Sequence, residues 1–307
     1  MQAGGLRKLN FEKRSGRTFK RFQTFGMETK GGAGMSATVA DVIQAMETIC
    51  PSCLAEAWDN VGLQVGHRQW PVNNIWIALD PHPSIIDAAA RNQVDLIITH
   101  HPLIFHPIHS VDFSSPIGTA IQTAAVHRIS VFAAHTNLDK SAGGVNDVLC
   151  DRIGLTCRKA LDVSGDECIP PDKKVQGLGR IGDLPCPMPL AAFTSLIKEN
   201  LNLPMVRYSG NPGLMVRRAA VCSGSGSGLL NNFLASNAEV YVSGDLRYHD
   251  ARNIESEERA LIDIGHFGSE YLIVEVLAER LDSLLAGQGF KVGVKACGLE
   301  SDPFKVL

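Results

Sequence analysis

The sequence predicts an α/β protein made of two α/β domains with mixed or parallel sheets. Three observations lead there. Short apolar runs of strand type alternate twice with amphipathic stretches of helical length, the pattern of parallel sheets with crossover helices. A polar, Pro-rich interval at 162–175, containing Pro170-Pro171-Asp172-Lys173-Lys174, separates the two runs. Several of the apolar runs stop at histidine or aspartate, the place where open α/β sheets bind ligands. A chain of 307 residues with 45% hydrophobic content suits one large domain or two ordinary ones. The organisation expected is a basic, disordered extension over 1–36, a first α/β domain over 37–165 and a second over 166–307. The C-terminal part of the second is free to pack back on the first.

Taken in order, Thr38-Val39-Ala40-Asp41 has the form of a capping box. Val39, Val42, Ile43, Met46 and Ile49 then recur at helical spacing until Pro51. A polar knot flanked by glycines, Ala57-Trp58-Asp59-Asn60-Val61-Gly62-Leu63-Gln64-Val65-Gly66, follows. Strands are expected over 75–79, 96–99 and 130–134, with helices over 83–92, 117–128 and 143–153 between and after them. Beyond the interval come a strand over 175–181, a helix over 190–200 and a strand over 216–222. Next are the run Ser223-Gly224-Ser225-Gly226-Ser227-Gly228 and a helix from Leu229. Strands over 240–243 and 261–264, a helix carrying Glu270 and a strand over 290–296 complete the chain. The two halves share element order but no residue repeat.

Charge excludes some function classes. The formal net charge is −3, too mild for a nucleic-acid or membrane-surface protein. Residues 1–35 hold eight Lys/Arg against two Asp/Glu, a net +6 that leaves −9 for the remainder. This head is Arg-rich and acid-poor, as transit peptides are, but has few Ser and much Gly. A disordered tail or an over-long start, with Met27 or Met35 as first residue, is the favoured reading. That makes the protein cytoplasmic, with mitochondrial import as the alternative. No stretch reaches the roughly 18 apolar residues of a membrane span. The eight cysteines form no framework spacing, and the lone Cys50-Pro51-Ser52-Cys53 lacks the second pair a zinc site wants. Reduced, non-functional thiols in a reducing interior are expected.

The chemistry gathers at four strand ends: His100-His101, His135 with Asp139, Asp245 with His249, and His266 with Glu270. A single histidine there is usually a hydrogen-bonded structural residue. A joint pattern of this kind is not usual. His266 and Glu270, four apart at a helix start, share one face. Three histidines and two carboxylates suit Zn, Fe, Mn, Ni or Co and are too rich in nitrogen for Ca or Mg. Five ligands exceed a closed zinc site but suit two ions about 3.5–4 Å apart sharing a carboxylate and an acidified water. The Gly-rich run at 223–228 reads either as a phosphate seat or as a tight turn needing glycine for room.

Trp58-Asp59-Asn60-Val61-Gly62-Leu63, Thr99-His100-His101-Pro102, His135-Thr136-Asn137-Leu138-Asp139, Ser243-Gly244-Asp245 with His249, and Gly265-His266 through Glu270 resemble the NIF-three-like family. Gly177-Leu178-Gly179-Arg180-Ile181-Gly182 belongs to the same resemblance, which runs from about residue 38 to 297. Bacterial members are often labelled GTP cyclohydrolase I type 2. The resemblance implies two α/β domains with a dinuclear site between them, in a toroidal homohexamer built as a trimer of dimers. It implies His100, His101, Asp139, His266 and Glu270 as ligands of two divalent ions, Glu270 bridging. Asp59, Asn60, Asp245 and His249 would line the site. The function expected is metal-dependent hydrolysis of a nucleotide or phosphorylated small molecule, with His135 or His249 shuttling the proton. The alternative is a non-catalytic protein of metal insertion, storage or regulation.

Overall fold

Leu96–Thr99 and Ser130–Ala133 contain no residue that reaches solvent, so both faces of their sheet must be covered. The computed structural model describes residues 35–162 and 177–306. All of these belong to the unit Gly34–Leu307. The basic head, except its last residues, and the Pro-rich interval, except Asp162, lie outside the described residues.

The described chain begins with β1 (Ala37–Thr38), α1 (Val39–Ile49), β2 (Gly62–Val65), β3 (Pro71–Val72), β4 (Asn74–Ala78) and α2 (Pro83–Arg91). It continues through β5 (Leu96–Thr99), α3 (Pro116–Val126), β6 (Ser130–Ala133), α4 (Thr136–Lys140) and α5 (Val145–Ile153). Then come β7 (Thr156–Asp162), β8 (Leu178–Pro189), α6 (Leu190–Asn200), β9 (Arg207–Ser209), β10 (Met215–Ser225) and α7 (Leu230–Ala235). The last elements are β11 (Val240–Gly244), α8 (Tyr248–Ser256), β12 (Ala260–Asp263), α9 (His266–Glu270), α10 (Leu272–Gly287) and β13 (Gly293–Ala296).

The capping box opens α1 as the sequence indicated. The Asp41 carboxylate accepts from the Thr38 backbone N–H at 2.8 Å, and Asp41 N–H donates back to the Thr38 hydroxyl. Two sheets follow. The five-stranded one has the order β13-β4-β5-β6-β2, parallel except for β2. The six-stranded one has the order β7-β8-β10-β11-β12-β9, with β10, β11 and β12 parallel at its centre. Thus β13 returns to the first sheet after the chain has built the whole second one. The chain changes sheet between α5 and β7, earlier than the 165/166 boundary read from composition. The polar knot also contributes β2, an antiparallel edge strand with every residue half-buried. Half-burial without clean alternation is why periodicity did not show it.

Helix α5 ties the sheets together. Its Val145 and Val148 enter the core of the first sheet with α1 and α10, while Leu149, Cys150 and Ile153 enter the core of the second. Helices α2 and α3 cover the first sheet's other face. A second tie is polar. The Arg180 guanidinium, buried on β8, donates to Asp147 at 2.7 Å, to Gly177 and Gly179, and to the Lys140 and Ser141 carbonyls that end α4. The C-x-x-C pair does not close on itself: Cys50 is a free thiol pushed up to about 12 by burial, whereas Cys53 is disulfide-bonded. The expectation of uniformly reduced thiols fails at Cys53. No described helix is long and apolar enough to cross a membrane.

Replacing Arg180 with Met would strip a buried carboxylate and several carbonyls of their donor, which costs roughly 3–5 kcal/mol at a buried pair. Urea unfolding of R180M should show a loss of that order, and a change below about 1 kcal/mol would remove Arg180 as a tie between the sheets.

Candidate metal centre

The parallel strands of both sheets aim their carboxyl ends at one cluster. Strand β5 runs into His100 and His101, and the Thr99 hydroxyl donates to the His101 carbonyl at 2.7 Å to hold that turn. Strand β6 runs into His135, the N-cap of α4, which carries Asp139. Strand β12 runs into α9, which begins at His266 and ends at Glu270. Strand β10 supplies Ser223 and Gly224 from the second sheet.

Each ligand ring is fixed by its Nδ1. That of His100 meets the Ala134 carbonyl at 2.9 Å, that of His101 meets the Asp80 carboxylate at 2.8 Å, and that of His266 meets Asp245 at 2.7 Å. A carbonyl or carboxylate can only accept, so each Nδ1 carries a proton and each Nε2 is the nitrogen left to bind a metal, once the proton held there on His101 and His266 is displaced. Those Nε2 atoms converge. The Nε2 atoms of His101 and His266 lie 3.2 Å apart, and both lie within 3.1 Å of Glu270 Oε2. His100 Nε2 lies 3.6 Å from Glu270 Oε1 and 3.7 Å from Asp139 Oδ1. His100 Nε2 and Glu270 Oε2 are buried without a hydrogen-bond partner. Three imidazole nitrogens crowded against two carboxylates need positive charge among them, which protons on His101 and His266 or a bound cation can supply.

Three overlapping groups of donor atoms could hold a metal ion: His100 with His101 and His135, His101 with His266 and Glu270, and His100 with Asp139 and Glu270. The residues fit the group expected. Electrostatics agrees with the geometry. Burial would raise Glu270, but the surrounding imidazoles hold it well below the usual carboxylate range. Asp139 goes the other way, raised by burial despite His100. Burial works against a charged His101, yet its bonds to Asp80 and Glu270 lift it to about 10. The bond to Glu270 likewise lifts His266 to about 9.

A match to the family model described as Duf34/NIF3 (NGG1p interacting factor 3) covers residues 37–303. The chain belongs to the DUF34/NIF3 family. A "GTP cyclohydrolase 1 type 2 homolog" of Clostridium acetobutylicum is 30% identical over 88% of this chain and 99% of its own length. One of Clostridium perfringens with the same name is 33% identical over 79% and 92%. Among solved structures, a Bacillus cereus protein related to NIF3 superposes with a TM-score of 0.82 at 25% identity, covering 88% of this chain and 99% of its own. A Staphylococcus aureus hypothetical protein gives 0.81 at 29%, with the same coverage.

In this NIF3 chain the five ligand candidates read from the sequence, His100, His101, Asp139, His266 and Glu270, lie together, and His135 joins them. His249 does not. It is exposed on α8 with its ring against Tyr248 at 5.4 Å, and none of the cluster's hydrogen bonds involves it. Asp59 and Asp245 serve as orienting partners, Asp59 through a 2.9 Å bond to His135 Nδ1. Asp80 was missed, although it follows strand β4 as the other site residues follow theirs. The first two residues of the Gly-rich run have no backbone donor free for a phosphate. Ser223 N–H is spent on Asn146, Gly224 N–H on Ser269, and the Ser223 hydroxyl on Asp139 at 3.2 Å. Its glycine is there for room. Gly224 has φ +59°, and a Cβ would stand 2.2 Å from Glu270 Oε1.

Two outcomes follow from this geometry. Gly224→Ala should fold but displace the Glu270 carboxylate, cutting bound metal per chain several-fold by elemental analysis; wild-type content would show that the close approach is idle. Because His101 and His266 are raised above their ordinary value near 6.5, both hold protons at pH 7.5 in metal-free protein and lose them only as pH climbs through 9 to 10. Metal loading at pH 7.5 should therefore release at least one proton per chain, shrinking toward pH 10, as read by calorimetry in buffers of differing ionisation enthalpy.

Proposed function

We propose that this protein is a metal-dependent hydrolase holding two divalent cations. His100, Asp139 and Glu270 Oε1 would hold one, and His101, His266 and Glu270 Oε2 the other. The observation that carries this reading is the commitment of all three Nδ1 atoms to acceptors, which turns three Nε2 atoms toward Glu270 and Asp139. The donor set suits Zn, Fe, Mn, Ni or Co. When bound, such a pair of cations polarises an electrophile and makes water a nucleophile near neutral pH.

The chain's own residues do the rest. Asp59 resists burial through its bonds from His135 and Thr136, which hold it down at about 2, so it stays ionised. It fixes the His135 tautomer and leaves Nε2 among the donor atoms of His100 and His101, where it can take and return a proton. His266 is the open side of the site, with its side chain 37% exposed, so substrate enters there. The names of the curated relatives support a nucleotide such as GTP, or another phosphorylated small molecule. A toroidal homohexamer in the cytoplasm goes with this proposal, taken from the family resemblance.

Elemental analysis should find two metals per chain in the wild type, about one in His266→Ala and almost none in Glu270→Ala. Turnover across nucleotides and phosphoesters should vanish with chelator and return with metal. His135→Gln should lower kcat by about 10²–10⁴ while leaving metal content unchanged. A panel without chelator-sensitive turnover would transfer the site to metal insertion, storage or regulation.

A further inference from the structure

We propose that Trp58 and Phe105 form a stacking platform for a planar heteroaromatic ring, the part of the ligand that does not react. This names a substrate class for the site just described and rests on a ligand reacting there. Trp58 is 60% exposed and Phe105 42%. Large apolar side chains exposed singly are ordinary. Here two aromatic rings touch each other, with centroids 5.9 Å apart, and both touch the imidazole of His135, at 6.1 and 6.2 Å. His135 in turn lies 5.1 Å from His100 by ring centroids. The aromatic pair is thus one ring removed from the metal ligands. Among the described residues Trp58 meets Phe105 and His135 edge-to-face, and together with its exposure this leaves indole surface open to a flat partner.

The rings are also held in place, which exposed side chains on loops usually are not. Asp59, next to Trp58, takes His135 Nδ1 at 2.9 Å, Thr136 N–H at 3.0 Å and Asn60 N–H at 2.8 Å. The carboxylate that orients the proton-carrying histidine therefore also fixes the backbone under the indole. The loop bearing Phe105 is tied to the loop bearing Trp58. Asn60 Nδ2 donates to the Ile104 carbonyl at 2.6 Å, and Ile104 N–H donates to Gln64 Oε1 at 3.1 Å. Gln64 Nε2 donates back to the Asn60 carbonyl at 2.9 Å. Ordering two loops this firmly around exposed aromatic faces prepays part of the entropy of binding. A ring laid on Trp58 leaves the rest of its molecule next to His135 and His100.

The probes are GTP and inorganic triphosphate, titrated into the metal-loaded full-length protein with metal content checked afterwards. GTP should bind about 10-fold tighter than triphosphate, the margin that base–aromatic stacking supplies. Trp58→Ala and Phe105→Ala should reduce or erase that margin, Trp58→Phe should keep most of it, and triphosphate affinity should not move. Trp70→Phe, a tryptophan outside the platform, should match wild type. The proposal is overturned if wild type holds GTP no tighter than triphosphate, or if Trp58→Ala retains the full margin. It is equally overturned if Trp58→Ala instead changes the mass of the assembly, since another copy of the chain then covers the ring. Trp58-dependent binding without turnover would keep the platform and remove the hydrolase. Chelator-sensitive turnover with an unaltered Trp58→Ala margin would do the reverse.

Discussion

The molecule is arranged around one carboxylate, that of Glu270. It is 3% exposed, and an ionised carboxylate taken out of water costs several kcal/mol unless opposite charge and hydrogen bonds compensate. The compensation comes from different places in the sequence. His100 and His101 follow a strand of the first sheet, while His266 follows a strand of the second and shares α9 with Glu270 itself. The charge balance at Glu270 and the mutual placement of the two sheets are consequently one condition. Helix α5, apolar toward both cores, and Arg180, bonded to elements on either side, meet that condition from behind the site.

Aspartates supply a second ring of control. Asp80, Asp245 and Asp59 each hold the Nδ1 of one imidazole, and all three lie in loops beside the cluster. They decide which nitrogen is bare, which a ligand list alone leaves unsaid. Three aspartates doing the same job from three separate loops make the tautomer a property of the fold.

Much of this was legible in the residues. Apolar runs over 96–99, 130–134, 240–243 and 261–264 marked the central strands because strands buried on both faces have little choice of composition. The candidate ligands were legible because several strands ended in histidine at once. Other features were hidden for physical reasons. The edge strand Gly62–Val65 is half-buried throughout and shows no period. Strand β7 mixes charged and apolar residues without a clear period and meets the interval read as a linker only at Asp162. Asp80 looked like any aspartate after a strand, since nothing local says that it bonds a histidine 21 residues on. His249 sat in a motif with Asp245, yet a helix turn separates them, and only Asp245 reaches the cluster. The glycines at 223–228 fit two readings, and at Gly224 the close approach to Glu270 supports the tight turn.

The return of the C-terminal strand has a consequence for biosynthesis. Strand β4 waits for its neighbour β13 while more than half the polypeptide is made, and the pairing of Ile75 with Val294 closes one of the longest loops in the chain. His100 and His101 leave the ribosome well before His266 and Glu270. Over that interval a nascent chain carries half a cluster and an open sheet edge, which chaperones and stray cations can both reach.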